Sequence, residues 1–395
     1  MIAFAPLSTL PPLSAEEREH ADRVEALIRR RIAAAGGWID FETFMDLALY
    51  APGLGYYSAG SAKLGPAGDF VTAPELGALF SACVARQCAE ILAGIGGGEI
   101  VELGGGTGRM AAHLLGALER MDALPERYAI LEVSADLRAR QQQRIAALTP
   151  SLARRVVWLE RWPAPPVRGV LLANEVLDAL ACQRFCVGPE GIRALGVALA
   201  ADGALEERER PPGEPLRAAC EAVLRSLPHP LPAGYRSEIC LRIEPWIGAI
   251  GDLLERGALL LFDYGLPRAQ YYHPERCEGT LRAHFRHRAH DDPLTRIGLQ
   301  DLTAWVDFTR VAEAAQAARL DVQGFATQAA FLLGTGIEEL LAGVSDPKER
   351  ARMAGEARRL LLPGEMGEAF KVMAVGRGCP ARLRGFAHQD LRASL

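Results

Sequence analysis

The sequence predicts an α/β protein built on a mainly parallel sheet, and three observations lead there. Short apolar runs recur at 99–103, 128–133, 156–159, 169–173, 259–262 and 370–375. The first two are each followed by a stretch with helical spacing, at 110–120 and 134–148. Glycines follow the first run at once, and Glu132 and Asn174 close the second and fourth. A sheet of this kind binds ligands at the carboxyl ends of its strands, where the strand order switches.

The composition fits such a protein. The 395 residues are 49% hydrophobic and 24% charged, which excludes a disordered, collagen-like or coiled-coil chain. The net charge of −5 argues against a protein that coats nucleic acid, and no nucleic-acid partner is expected. Eight cysteines without a CxxC pair signal neither a zinc ribbon nor a disulfide scaffold. No stretch of about 18 apolar residues occurs, so no membrane span is expected. The first twenty residues lack a basic stretch and are broken by Pro6, Pro11 and Pro12, unlike a secretory signal. Glu16, Glu17, Glu19, Asp22 and Glu25 are wrong for a mitochondrial presequence, so a cytoplasmic location is expected.

Taken in order, residues 14–93 read as helical with one long break. Ser14 and Glu17 form a capping box for a helix to about Ala35, and Asp40 is placed to cap a helix over 41–50. A Gly- and Pro-rich loop at 51–75 holds Tyr56, Tyr57 and the segment GDFVTAPE. A loop this long that carries acids and aromatics points to function. A helix over 76–92 ends at Gly94. Between the fourth and fifth runs about 85 residues break the alternation: 183–187, 192–200 and 204–207 read as strands, and 228–232 as a Pro-rich linker. Residues 299–361 read as largely helical. The expected units are 1–93, an N-terminal helical region with an active-site loop; 94–180, a cofactor-binding half; 181–256, an inserted lid; 257–379, the rest of the catalytic domain; and 380–395, a tail.

The sharpest motif is Val101-Glu102-Leu103-Gly104-Gly105-Gly106-Thr107-Gly108. Glycine lets a ligand approach the main chain where a Cβ would block it. No Gly-Lys pair is present for a P-loop, and the dinucleotide pattern fails because its sixth position is Arg109. What remains is GxGxG after a strand-end acid, the pattern that binds S-adenosylmethionine (SAM). Glu102 is placed for the cationic end of SAM, and Gly104, Gly105, Gly106 and Gly108 for the turn. Glu132, about 25 residues on, is placed for the ribose hydroxyls, and Leu159 and Glu160 for the adenine.

After the fourth run comes Asn174-Glu175-Val176-Leu177-Asp178-Ala179-Leu180. If this turn is helical, Glu175 and Asp178 share one face beside the glycine loop. Two acids and an amide there suit a cationic acceptor, and a guanidinium with five donors is the natural guest. Asn174, Glu175 and Asp178 are therefore the candidate catalytic residues.

These residues resemble the MidA-like (COG1565/DUF185) SAM-dependent methyltransferases, the family of the mitochondrial complex I assembly factor that methylates an arginine. The resemblance covers roughly 36–376. It rests on GDFVTAPE at 68–75, VELG at 101–104, NEVLDAL at 174–180, DYG at 263–265, GTLR at 279–282, DLT at 301–303, VDF at 306–308 and GEMG at 364–367. It implies a class I, Rossmann-like methyltransferase sheet with a helical N-terminal region and a mixed α/β insertion between the fourth and fifth strands. It also implies a SAM site at Glu102, Gly104, Gly106 and Glu132, a protein arginine as acceptor, and a place near the site for the loop from Asp69 to Glu75. Two departures stand out: GGGTG replaces the usual GPGRG, and Trp305 stands where the family often has His. A small molecule, an RNA or another side chain as acceptor, and an assembly factor that binds SAM structurally, stay open.

His284, His287 and His290 make an H-x2-H-x2-H run, but Arg282, Arg286 and Arg288 interleave and repel a cation, so no metal site is assigned. A loop that positions groups near the acceptor is the better reading. Tyr264 and Thr280 are placed to line an acceptor channel. No GxSxG elbow supports hydrolase chemistry.

Overall fold

The computed structural model describes residues 3–4, 10–59, 72–164, 166–380 and 382–395. Its central sheet contains β1 (Glu99–Leu103), β2 (Tyr128–Leu131), β3 (Val156–Leu159), β4 (Val167–Asn174), β5 (Leu254–Leu266), β6 (Asp321–Thr327) and β7 (Phe370–Arg377). Their order is β6-β7-β5-β4-β1-β2-β3. All neighbours run parallel except β7, which is antiparallel to both β5 and β6. The chain winds outward from β1 to β3 on one side and from β4 to β5 on the other. The order therefore switches between β1 and β4, and a crevice opens at their carboxyl ends.

The apolar runs are continuous because both faces of the sheet are covered. Ile100, Tyr128, Ile130, Val170, Leu172, Leu260 and Phe262 belong to one core. The alternate residues Val101, Leu103, Ala129, Leu171, Ala173, Leu259 and Leu261 belong to the other. Truncating one of these buried leucines to alanine costs about 2–5 kcal/mol. The sixth strand was expected to be helical. A register shift between Val322 and Gly324 breaks its alternation, which hides it in the sequence.

The N-terminal helices form as their caps require. In α1 (Ala15–Ala34) Ser14 and Glu17 make both capping-box bonds, and in α2 (Phe41–Tyr50) Asp40 accepts from Thr43 N–H at 2.7 Å. In α3 (Leu79–Ile95) Gly94 is helical, and the helix ends instead at Gly96, whose φ of +79° is left-handed. The inserted strands Gln183–Gly188, Gly191–Leu199 and Leu205–Arg210 form as expected, joined by Arg236–Ile239. Trp38–Asp40 from the N-terminal region adds to the same sheet, antiparallel to Gly191–Leu199. A third small sheet contains Arg282–Phe285, Arg288–His290 and Asp301–Thr303. From α2 and the third sheet, Tyr50, His284, Asp301 and Thr303 line a cavity together with residues at the carboxyl ends of the central strands. No described helix is long and apolar enough to cross a membrane.

Candidate active site

A cavity of about 390 Å³ opens at the switch between β1 and β4. Its donor half is built by the ends of β1 and β2. Gly104, Gly106 and Gly108 have φ of 75°, 50° and 77°, a region that side chains strain to enter. A Cβ on Gly105 would lie 2.7 Å from Ile130 Cγ2, and one on Gly108 would lie 3.1 Å from Gln141 Cα. These two glycines thus serve close packing on β2 and on α5 (Ala135–Ala146), as well as the open turn that leads into α4 (Arg109–Arg120). Gln141 donates to Gly106 O at 2.9 Å and Arg144 to Thr107 O at 3.0 Å, which fixes the loop. Gly104, Gly105, Gly106 and Thr107 line the cavity; Gly108 does not, and begins α4 instead.

Glu102 and Glu132 both face this space. Glu102 is buried and accepts from Tyr128 O–H at 2.8 Å. Burial, the largest influence, pushes its carboxyl up to about 8. Glu132 accepts from Ser134 N–H at 2.9 Å and Gln141 Nε2 at 3.0 Å. Leu159 and Glu160 are not where the sequence placed them. Leu159 packs on the core beneath the sheet, and Glu160 points outward, 3.8 Å from Arg138. The strand ends before it turns toward the crevice, so Leu137, Val133 and Trp162 supply the apolar lining there. Asp69 lies outside the described residues. Glu75, at the end of the same loop, faces the cavity, accepts from Thr107 Oγ1 and lies 3.7 Å from Arg109.

The acceptor half begins where β4 ends. The turn after Asn174 is not a helix. Glu175 N–H continues the pairing with β5 by donating to Phe262 O at 2.8 Å, and Leu177 N–H donates to the Asp263 carboxyl at 2.9 Å. Those bonds tie the turn to β5, and Glu175 stands at φ +54°, outside the right-handed helical region. Asn174, Glu175 and Asp178 nevertheless converge on the cavity, with Asp301 beside them. Asn174 Nδ2 donates to Glu175 at 3.1 Å, and Tyr57 O–H donates to Asp301 at 2.9 Å.

Burial first, and then the neighbouring acids, raise the carboxyls of Glu175 and Asp178 well above the usual range. No ion pair joins Glu175 or Asp178 to a basic side chain among the described residues. Six carboxyls line the cavity (Glu75, Glu102, Glu132, Glu175, Asp178 and Asp301), and Arg109 is the one Arg or Lys described among them. Tyr50 and Tyr57 stack with ring centres 5.4 Å apart, and Tyr264 lies over Phe370 at 3.8 Å. Tyr264 lines the channel as expected, whereas Thr280 is buried away from it against Glu238. His284 also faces the cavity, on a strand rather than a helix. Tyr50, Asp301 and Thr303 received no role at the site from the sequence, although DLT at 301–303 carried part of the resemblance, because only the folded cap brings 50, 174–178 and 301–303 together.

The cavity has what SAM requires: exposed main chain at a left-handed turn, an acid at the end of β1, an acid at the end of β2 and an apolar wall. Comparison with known proteins agrees. A family model described as S-adenosyl-L-methionine-dependent methyltransferase matches residues 83–326. The crystal structure of a COG1565 superfamily member from Burkholderia thailandensis, bound to S-adenosyl-homocysteine (SAH), superimposes with a TM-score of 0.93. It is 39% identical, over 98% of this chain and 100% of that one. The protein arginine methyltransferase NDUFAF7 homolog of Drosophila melanogaster is 29% identical, over 92% of this chain and 86% of its own length. Human protein arginine methyltransferase NDUFAF7 is 28% identical, over 86% of this chain and 80% of its own.

Both of those relatives are named as mitochondrial, which overturns the cytoplasmic location expected above. The acids that argued against a presequence belong to α1, which packs Val24, Ile28 and Ile32 into the core; they are part of the fold and carry no address. Fold, cavity and comparisons agree that the chain belongs to the MidA-like (COG1565) family and is a SAM-dependent methyltransferase.

Proposed function

We propose that this methyltransferase acts on the guanidinium of an arginine in a partner protein. One observation carries the reading: Asp178 is buried and Glu175 half-buried beside Asp301, their carboxyls are raised, and among the described residues no basic side chain is paired with the first two. Such carboxyls call for a cation from outside, because burying an unpaired charge costs several kcal/mol. A guanidinium supplies five donors in a plane and stays charged at any ordinary pH. The names of the relatives support the same acceptor.

SAM supplies an electrophilic methyl group on a sulfonium. Glu132 is assigned to the ribose hydroxyls and Glu102 to the ammonium end. Glu175 is the first choice for the guanidinium and Asp178 the second, with Asn174 orienting Glu175. Together they would hold one nitrogen in line with the methyl group, at about 3–3.5 Å. As the carbon–sulfur bond breaks and the nitrogen–carbon bond forms, one of these carboxylates would take the proton the nitrogen gives up and the other would stabilise the charge left on the guanidinium. The segments over the sheet, from the N-terminal region and the insertion, would exclude water.

Glu175→Gln tests this. Turnover on labelled protein acceptors should fall at least tenfold, about 1.4 kcal/mol of barrier, while SAH affinity stays within about twofold. Unchanged turnover would remove Glu175 from the mechanism. Mass spectrometry of the labelled product would show whether arginine carries the methyl group.

A further inference from the structure

We propose that His284 completes the acceptor site: Nδ1 of its neutral imidazole accepts a hydrogen bond from the guanidinium and so helps the site choose guanidinium over ammonium. The proposal rests on the arginine reading above.

His284 lies on the strand Arg282–Phe285 and lines the same cavity as Glu175, Asp178 and Asp301. Its Nε2 is 3.2 Å from Thr303 Oγ1 on the neighbouring strand. Its Nδ1 is buried and has no hydrogen-bond partner. A buried polar atom without a partner is uncommon and calls for an explanation. Here the residue that carries the atom lines a cavity rich in carboxyls.

The surroundings keep the ring neutral. Burial pushes its pKa down to about 4, and His290 on the paired strand and Arg282 on its own strand push the same way. Asp301 stands opposite His284 in register, and Glu175, Asp178, Tyr50 and Tyr57 line the rest of the wall. An imidazolium would repel an incoming cation; a neutral ring offers one lone pair. When Nε2–H donates to Thr303, that lone pair is at Nδ1. Asn174 Oδ1 is also without a partner, but its amide is tied to Glu175, so His284 is the independent acceptor.

Donor counting explains the selectivity. An ammonium has three donors, which two carboxylates satisfy. A guanidinium has five in a fixed plane, and the ones pointing away from the carboxylates need a further acceptor. A site built to meet a donor rejects a ligand that lacks it, because its own buried group stays unpaired.

The test titrates N-butylguanidine and n-butylamine into the SAH-loaded protein by calorimetry. The wild-type protein should prefer the guanidine by about tenfold or more, the value of one well-made hydrogen bond in a buried site. His284→Phe should cut that preference to about threefold or less by weakening the guanidine alone, with SAH affinity unchanged. His284→Asn, which keeps an acceptor, should recover part of it. Thr303→Val, which frees the ring without removing it, should weaken the guanidine by about threefold.

An unchanged preference in His284→Phe, or in Thr303→Val should the first variant fail to fold, would overturn the role of His284 and leave the arginine reading standing. A wild-type protein that binds both probes equally would overturn the arginine reading, and this proposal with it.

Discussion

Glu102 and Glu132, at the donor end of the cavity, are already held by their own protein. Tyr128 donates to the first at 2.8 Å, and Ser134 and Gln141 donate to the second at 2.9 and 3.0 Å. At the acceptor end, among the described residues, Glu175 receives the Asn174 amide at 3.1 Å and Asp178 meets main-chain N–H groups. The donor acids stand at the ends of regular parallel strands, whereas the acceptor acids stand on an irregular turn with Glu175 at φ +54°. The comparison teaches that the donor end is finished before its ligand arrives and the acceptor end is finished by its ligand. Pre-organisation serves the cofactor, and stored electrostatic tension serves the acceptor.

Mutations at the two ends should therefore fail in opposite ways. Glu132→Ala removes an acid assigned to two ribose hydroxyls. Even one hydrogen bond to a charged group is worth about 1.5–3 kcal/mol, so SAH should bind at least about tenfold more weakly. Turnover at saturating SAM should change little, the reverse of the Glu175→Gln pattern. Equal losses of affinity and turnover in both variants, measured by calorimetry and initial rates, would dissolve the distinction between the ends.

A smaller effect lies in pH. With its pKa pushed up to about 8, Glu102 is mostly protonated at pH 7 in the ligand-free protein. A cationic ligand end favours the carboxylate, so binding must release that proton. SAH affinity should rise as pH climbs toward about 8, by at most about tenfold per unit, and Glu102→Gln should flatten the profile.

The same groups set the sign for stability. Glu102 and Asp263 both titrate near 8 in the fold, far above their unfolded values. Between those limits the folded state holds more protons than the unfolded one. Ligand-free stability should consequently fall as pH rises from about 5 to 8. A melting temperature that rises across this range would contradict the burial of both acids.

Local signals were legible in the sequence, and signals that depend on the cap were not. The turn after β1, Glu132 and the Asn174–Asp178 acids reach the cavity because each follows directly from a strand end, and a strand end can be read from one apolar run. Leu159 and Glu160 were misplaced by the same logic: β3 is the edge strand, and the chain turns toward the crevice only at Trp162. Of the histidine run, read from sequence as a loop near the acceptor, His284 lines the cavity from a strand; its partner Thr303 could not be inferred, since strand pairing between 282–285 and 301–303 leaves no local pattern. Likewise nothing in Trp38-Ile39-Asp40 announces that it pairs with a strand more than 150 residues away.

The smallest expected effect probes the tension itself. Glu175→Gly removes a side chain from a left-handed residue, which relieves about 1–2 kcal/mol. Glycine also widens the unfolded ensemble, at a cost of about 0.5–1 kcal/mol. The two nearly offset, so the deciding contribution is the acid. Its carboxyl is raised well above the ordinary range, so it weakens the fold progressively as pH rises from the unfolded value toward the folded one. Relative to the wild-type protein, the variant should therefore gain stability as pH rises from 5 to 8, while losing turnover. Urea unfolding of the ligand-free proteins at the two pH values measures this directly. Should Glu175→Gly be less stable at pH 8, the turn would be held by Glu175 rather than strained by it, and the acceptor end would be as finished in advance as the donor end.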